Sequence, residues 1–234
     1  MDITLIQTAA GPVYEAMLDA TEAVHRAYCA RNDATFWSER GVRRGHHPWQ
    51  ATFNRIEMLH DLAAQGHAGW VMYLDADAVI CQPGFDLRRF LGKRQDYALI
   101  AGPGGSEGHR WNINAGVFFL NLGHPAGRTM LAQWHGAFHR AVSDELLAAT
   151  PQPWGGLANG LPFPDDQHLL QMELMRDDRL QAAVLLENPD LINHDRGRFI
   201  RQYLRTYGSP EERLEAIREI VDILGNLPAD GERA

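Results

Sequence analysis

Lysine is almost absent from this 234-residue chain: Lys93 is the only one, so arginine supplies nearly all of the 22 basic residues. Asp and Glu number 30, and the formal net charge of −8 leaves no basic excess for a nucleic-acid backbone, whose neutralisation needs clustered Lys and Arg. Any phosphate the chain handles therefore needs local help, from a metal ion or a few placed arginines. Cysteine is scarce too. Cys29 and Cys81 lie in apolar surroundings without CxxC or Cys/His metal spacing, so no disulfide framework is implied and both read as reduced core residues. Nor is there a basic stretch with a long apolar run behind it at the N-terminus, or any apolar run near the roughly 20 residues of a membrane span. The expectation is a soluble, cytoplasmic protein with no membrane span and no nucleic-acid partner; its oligomeric state stays open.

What is present is alternation. A strand at about 2–9 is broken by Gly11-Pro12, after which Tyr14, Met17, Leu18, Val24, Ala27 and Tyr28 recur at helical spacing. A short strand carries Thr35-Phe36-Trp37. Pro48 opens a helix whose stripe is Trp49, Phe53, Ile56, Leu59 and Leu62, closed by Gly66. Strands follow at 70–74, 97–101 and 113–120, then a helix at 125–148, a Pro/Gly-rich loop from Pro151 to Pro164, a helix begun by Asp165-Asp166-Gln167, and a strand at 182–186. Such order predicts an α/β fold with a sheet flanked by helices. Ser209, Pro210 and Glu212 cap a last helix whose apolar face is Leu214, Ile217, Val221 and Leu224; we expect residues 206–234 to pack on a domain spanning 1–205.

Trp70 to Leu74 is an unbroken apolar run, the pattern of a strand buried on both faces, and it ends abruptly in Asp75-Ala76-Asp77. In an open α/β sheet the carboxyl ends of strands face the ligand crevice. Two carboxylates one residue apart there suit a hard cation, Mg²⁺ or Mn²⁺, bridging phosphate oxygens. The same letters fit the nucleophile motif of haloacid-dehalogenase-like phosphatases. That motif normally sits on the first strand and needs a later lysine, whereas about seventy residues precede it here and Lys93 comes too early.

Several segments in order resemble a retaining, metal-dependent glycosyltransferase of the GT-A fold, a Rossmann-like mixed sheet, closest to the galactosyl/xylosyl and mannan-chain transferases of glycosyltransferase family 34. They are His47-Pro48-Trp49 with Asn54-Arg55-Ile56, then Trp70 to Ala78, then Asn112 to Phe119, then Asp165-Asp166-Gln167, and finally His194. The resemblance spans roughly 2–200. It implies a UDP- or GDP-hexose donor, a carbohydrate or glycan acceptor, and Mn²⁺ (or Mg²⁺) held by Asp75, Asp77 and His194. It implies donor contacts from Thr8, Ala9, Gly11, Arg55, Asp75 and Ala76, and diphosphate pairing by Arg196 or Arg198. Asn114, Asp165, Asp166 and Gln167 would orient the sugar at the catalytic face, although Asp165 is also a favoured helix cap. A non-catalytic nucleotide-sugar binding module would be expected to have lost such ligands. The remaining histidines, including His46, His47 and His60, show no ligand spacing and read as solvent-facing. The Gly102 to Gly108 segment lacks the context of a phosphate loop and reads as a lid or acceptor-side loop. Trp111 and Trp154 are candidates for stacking on a sugar face.

Overall fold

The computed structural model describes residues 1–151 and 164–226. Most of the Pro/Gly-rich loop, with Trp154, and the tail after residue 226 lie outside them.

Six strands form the main sheet in the order β2-β1-β3-β6-β5-β7. β1 (Ile3–Ala9) pairs parallel with β2 (Thr35–Arg40) and with β3 (Trp70–Leu74). β3 then meets β6 (Ile113–Asn121) antiparallel, β6 pairs antiparallel with β5 (Leu99–Pro103), and β5 pairs parallel with β7 (Val184–Leu186). The sheet is mixed, and the Gly-rich segment is the connection of the antiparallel β5–β6 pair, with a register shift between Ala101 and Gly102. A separate two-stranded ribbon joins β4 (Ala78–Ile80) to β8 (Ile200–Gln202). At three residues each, these two strands are too short to leave a periodic signal.

The apolar run of β3 is explained by burial on both faces. Val71 and Tyr73 enter one core with Phe53, Ile56, Phe118, Trp134 and Leu170. Trp70, Met72 and Leu74 enter the other with Tyr28, Leu87, Phe119 and Phe199. The first core is covered by α2 (Asn54–Ala64), α4 (Pro125–Ala141) and α6 (Asp166–Arg176); the second by α1 (Pro12–Arg31) and α3 (Leu87–Gly92). Each large side chain removed from water there contributes about 1.5–3 kcal/mol, so the strand that ends in the aspartates is among the most firmly held. α5 (Asp144–Ala149) and α7 (Asp178–Ala182) are short.

Two helix boundaries differ from expectation. Pro48 opens a 3-10 helix, Pro48–Phe53, and α-geometry begins at Asn54. The helix expected over 125–148 breaks at Val142 because the Ser143 hydroxyl accepts from Leu146 N and starts α5 as a new N-cap. α8 (Pro210–Gly225) has the expected Ser209/Glu212 capping box and packs against α1. No helix among the described residues is long and apolar enough to cross a membrane.

Candidate functional site

Parallel pairing of β1 with β3 brings the carboxyl ends of both strands to one edge, and a cavity of about 780 Å³ opens there. Of the residues singled out in the sequence, Thr8, Ala9, Arg55, Asp75, Ala76, Asp77, Asn114, Asp165, Asp166 and Gln167 line it.

Asp75 extends the β3–β6 ladder, its N–H donating to Gly116 O at 2.7 Å. Its Oδ1 accepts from Arg55 Nη2 at 2.7 Å and Tyr73 Oη at 2.9 Å, and its Oδ2 from Gln202 Nε2 at 3.0 Å. Arg55 is the hub of the site. Besides Asp75 it donates to Ala115 O at 2.6 Å, and its Nε stands 3.1 Å from Asp166 Oδ2 while the guanidinium lies over the Tyr73 ring. Burial alone would lower its pKa, but Asp166 and Asp75 outweigh that and keep it charged. Asp166 is buried, accepts from the Thr52 hydroxyl through Oδ1, and leaves Oδ2 ion-paired yet without a hydrogen bond. Burial lifts its pKa to about 6, with Arg55 opposing the rise.

Asp77 is paired from an unexpected direction. Arg213 on α8 donates through Nη1 to Asp77 Oδ2 and through Nη2 to Tyr14 Oη, the latter at 2.8 Å. Burial, with Asp75 adding to it and Arg213 opposing, pushes the Asp77 pKa up to about 7. Gln202 Nε2 also reaches Asp77 Oδ1 at 3.3 Å, so one amide spans both aspartates while its own Oε1 is buried without a partner. Asp75 Oδ2 and Asp77 Oδ1 thus face one point, at which the Gln202 amide nitrogen donates; with that amide turned to present its unpartnered Oε1, the three side chains make a hard, all-oxygen donor set that fits a divalent cation preferring oxygen.

The polar residues around them are held as firmly. Gln167 Oε1 accepts from Ala115 N at 2.9 Å, and Asn114 Oδ1 accepts from Gly116 N at 2.8 Å. Asp165 caps α6 by accepting from His168 N at 2.7 Å. A Cβ on Gly116 would stand 2.2 Å from Gln202 Nε2 and 2.7 Å from Asp75 Oδ2, so glycine is needed where those side chains cross β6. Behind the cavity, buried His25 receives Ile80 N–H on Nε2 (3.2 Å) and donates from Nδ1 to Gln7 Oε1 (2.7 Å). Gln7 Nε2 in turn reaches Asp75 O at 3.4 Å, tying α1 to the aspartate turn.

Four expected residues are placed elsewhere. Gly11, His194, Arg196 and Arg198 are not among the described residues lining the cavity. Gly11 is the N-cap of α1, at φ 90°, a backbone that favours glycine. His194 Nδ1 lies 2.8 Å from Asp195 Oδ1, and its nitrogens do not gather with Asp75 and Asp77. The cause is register: β8 pairs with β4 so that Gln202 sits opposite Ala78, which brings Gln202 to the aspartates in place of His194. Arg205 and Arg213 line the cavity instead of Arg196 and Arg198. Trp111 stacks on His109 at 5.6 Å and packs against the core.

No protein-family model matches the sequence, and no curated protein sequence matches it. Solved structures do resemble it. A glycosyltransferase involved in the glycosylation of the major capsid of PBCV-1 superposes with a TM-score of 0.66 at 16% identity, over 94% of this chain and 100% of that one. The apo-form glycosyltransferase GlyE of Streptococcus pneumoniae TIGR4 superposes with a TM-score of 0.52 at 12% identity, over 99% of this chain and 66% of that one. The fold is thus the mixed α/β fold of GT-A-like glycosyltransferases.

Proposed function

We propose that this protein is a metal-dependent glycosyltransferase that moves a hexose from a UDP- or GDP-sugar to a hydroxyl of a carbohydrate acceptor, with retention at the anomeric carbon. The observation that carries this reading is the convergence of Asp75, Asp77 and Gln202 at the strand-end cavity, with Arg55 and Asp166 beside them. The cavity's volume suits a nucleotide-sized ligand.

Asp75, Asp77 and Gln202 would hold Mn²⁺ or Mg²⁺, which when bound neutralises charge on the diphosphate. Thr8, Ala9 and Ala76 border the nucleotide, and Arg205 supplies the arginine that the resemblance assigned to Arg196 or Arg198. Asp166 lines the cavity wall where the sugar would sit, and Arg55 keeps its carboxylate ionised and fixed. The bond from the anomeric carbon to the phosphate oxygen breaks with its electron pair leaving on the diphosphate. The acceptor oxygen bonds to the same face, and its proton passes to the departing phosphate oxygen. Catalysis of this kind is chiefly electrostatic preorganisation.

Calorimetric titration of UDP, GDP and their hexose conjugates, with and without Mn²⁺, on wild type and Asp77→Asn, tests the donor site. Binding of one nucleotide that needs both metal and Asp77 is expected; metal binding with no nucleotide preference would return the phosphatase reading. Anomeric analysis of the product tests retention, and an inverted product would reject it.

A further inference from the structure

A second constellation stands in the seam between α2 and α4, outside the cavity. Glu57 and His60 are three residues apart on α2, and His135 and His139 are four apart on α4, spacings that put each pair on one helix face. The two helices pack together, and Glu57, His60 and His135 offer ligand atoms that all lie within 4.8 Å of one another. His139 Nε2 adds a fourth, 2.9 Å from Glu57 Oε1 and 3.1 Å from His135 Nε2, while His135 Nε2 is 3.4 Å from Glu57 Oε2. Ligand atoms around a tetrahedral zinc ion, with bonds of about 2.0–2.1 Å, stand about 3.3 Å apart. The Glu57, His135 and His139 atoms already show those separations, while the His60 ring, stacked parallel on that of His135 with centroids 4.0 Å apart, turns about its side-chain bonds to aim a nitrogen at the same point.

We propose that Glu57, His60, His135 and His139 bind a zinc ion that clips α2 to α4. Three imidazoles and a carboxylate select a borderline ion such as Zn²⁺, in contrast to the all-oxygen set at Asp75, Asp77 and Gln202. His139 is the conditional member. Arg44 Nη1 lies 3.4 Å from its Nδ1, so ligation through Nε2 moves the ring proton to Nδ1 and loosens that contact, while Arg44 keeps its pairing with Asp144 at 2.9 Å. His60 is exposed and His135 half-buried, which leaves the ion a path from solvent. Because Arg55 lies two residues before Glu57, the clip braces the helix that holds Asp75 and Asp166.

Zn²⁺ titration and Co²⁺ absorption spectroscopy on the full chain test this, using His60→Ala, the double variant H60A/H135A, and D77N. Wild type and D77N are expected to bind one Zn²⁺ equivalent that H60A/H135A binds roughly 100-fold more weakly or not at all, a loss at least as large as removing an outer-shell partner. The Co²⁺ protein should give the intense visible bands of a tetrahedral site. Zn²⁺ should raise the Tm of wild type and not that of H60A/H135A. His60→Ala, altering one exposed residue, serves as the folded reference and should bind more weakly than wild type. Equal Zn²⁺ affinity in wild type and His60→Ala, or loss of binding in D77N alone, or only the weak bands of an octahedral ion, would overturn the proposal.

Discussion

Arg213 on the last helix and Asp77 at the turn after β3 are 136 residues apart in the chain and form a buried ion pair, with side-chain exposures of 3% and 10%. α8 is therefore joined to the candidate donor site itself. Removing one member of such a pair strands the other charge in a poor solvent for it. Arg213→Met is expected to cost about 3–5 kcal/mol in stability, the usual penalty for breaking a buried pair from one side. Urea unfolding of the variant measures it, and a cost under ~1 kcal/mol would mean that Gln202 alone suffices for Asp77.

Arg55 divides one planar guanidinium among Asp75, Asp166 and the Ala115 carbonyl. Lysine keeps the charge but lacks the fork. Arg55→Lys should retain the fold by circular dichroism yet weaken nucleotide-sugar binding at least about tenfold, as expected when a preorganised contact is lost. Undiminished binding by calorimetry would show that charge alone is enough.

Gly116→Ala places a methyl group against the Gln202 amide and Asp75. Because Gln202 is a flexible side chain, the fold should survive at a cost of about 1–3 kcal/mol. The amide that spans the two aspartates should be displaced, and metal-dependent nucleotide binding should fall more steeply than Tm. A variant that loses stability alone would make Gly116 a packing residue only.

Burial holds the His25 pKa at about 3, far below the ordinary 6.5. A depressed pKa means the folded state favours the neutral ring, so this stabilisation is complete above pH 6.5 and is lost progressively as pH falls from 6.5 towards 3. Urea midpoints at pH 7 and pH 4.5 should therefore differ more in wild type than in His25→Gln, which cannot titrate. Identical differences in the two proteins would assign the acid sensitivity to other groups.

The parts of this fold that were legible in the sequence are those whose cause is local. Trp70 to Leu74 announces a doubly buried strand through its own composition, and Ser209, Pro210 and Glu212 announce the start of α8 through their own hydrogen-bonding chemistry. Asp75, Asp77 and Asp166, which line the cavity, can be singled out from the sequence because they sit directly at the ends of such elements. What escaped is what distant register decides. Whether Gln202 or His194 faces the aspartates depends on how β8 pairs with β4, and neither three-residue strand carries a period to read. Arg213 lies in a helix whose apolar stripe predicts packing, and nothing local says that its guanidinium reaches a carboxylate supplied by β3. His60 looked solitary for the same reason: its neighbours His135 and His139 arrive from another helix.

The Arg213–Asp77 pair also sets an order of events at the ribosome. At about 5–20 residues per second, Asp77 is synthesised about 7–27 s before Arg213. Through that interval the nascent sheet can form around β3 while one of its acidic groups still lacks its counter-ion. The strand-end cavity is finished last, by the arrival of α8.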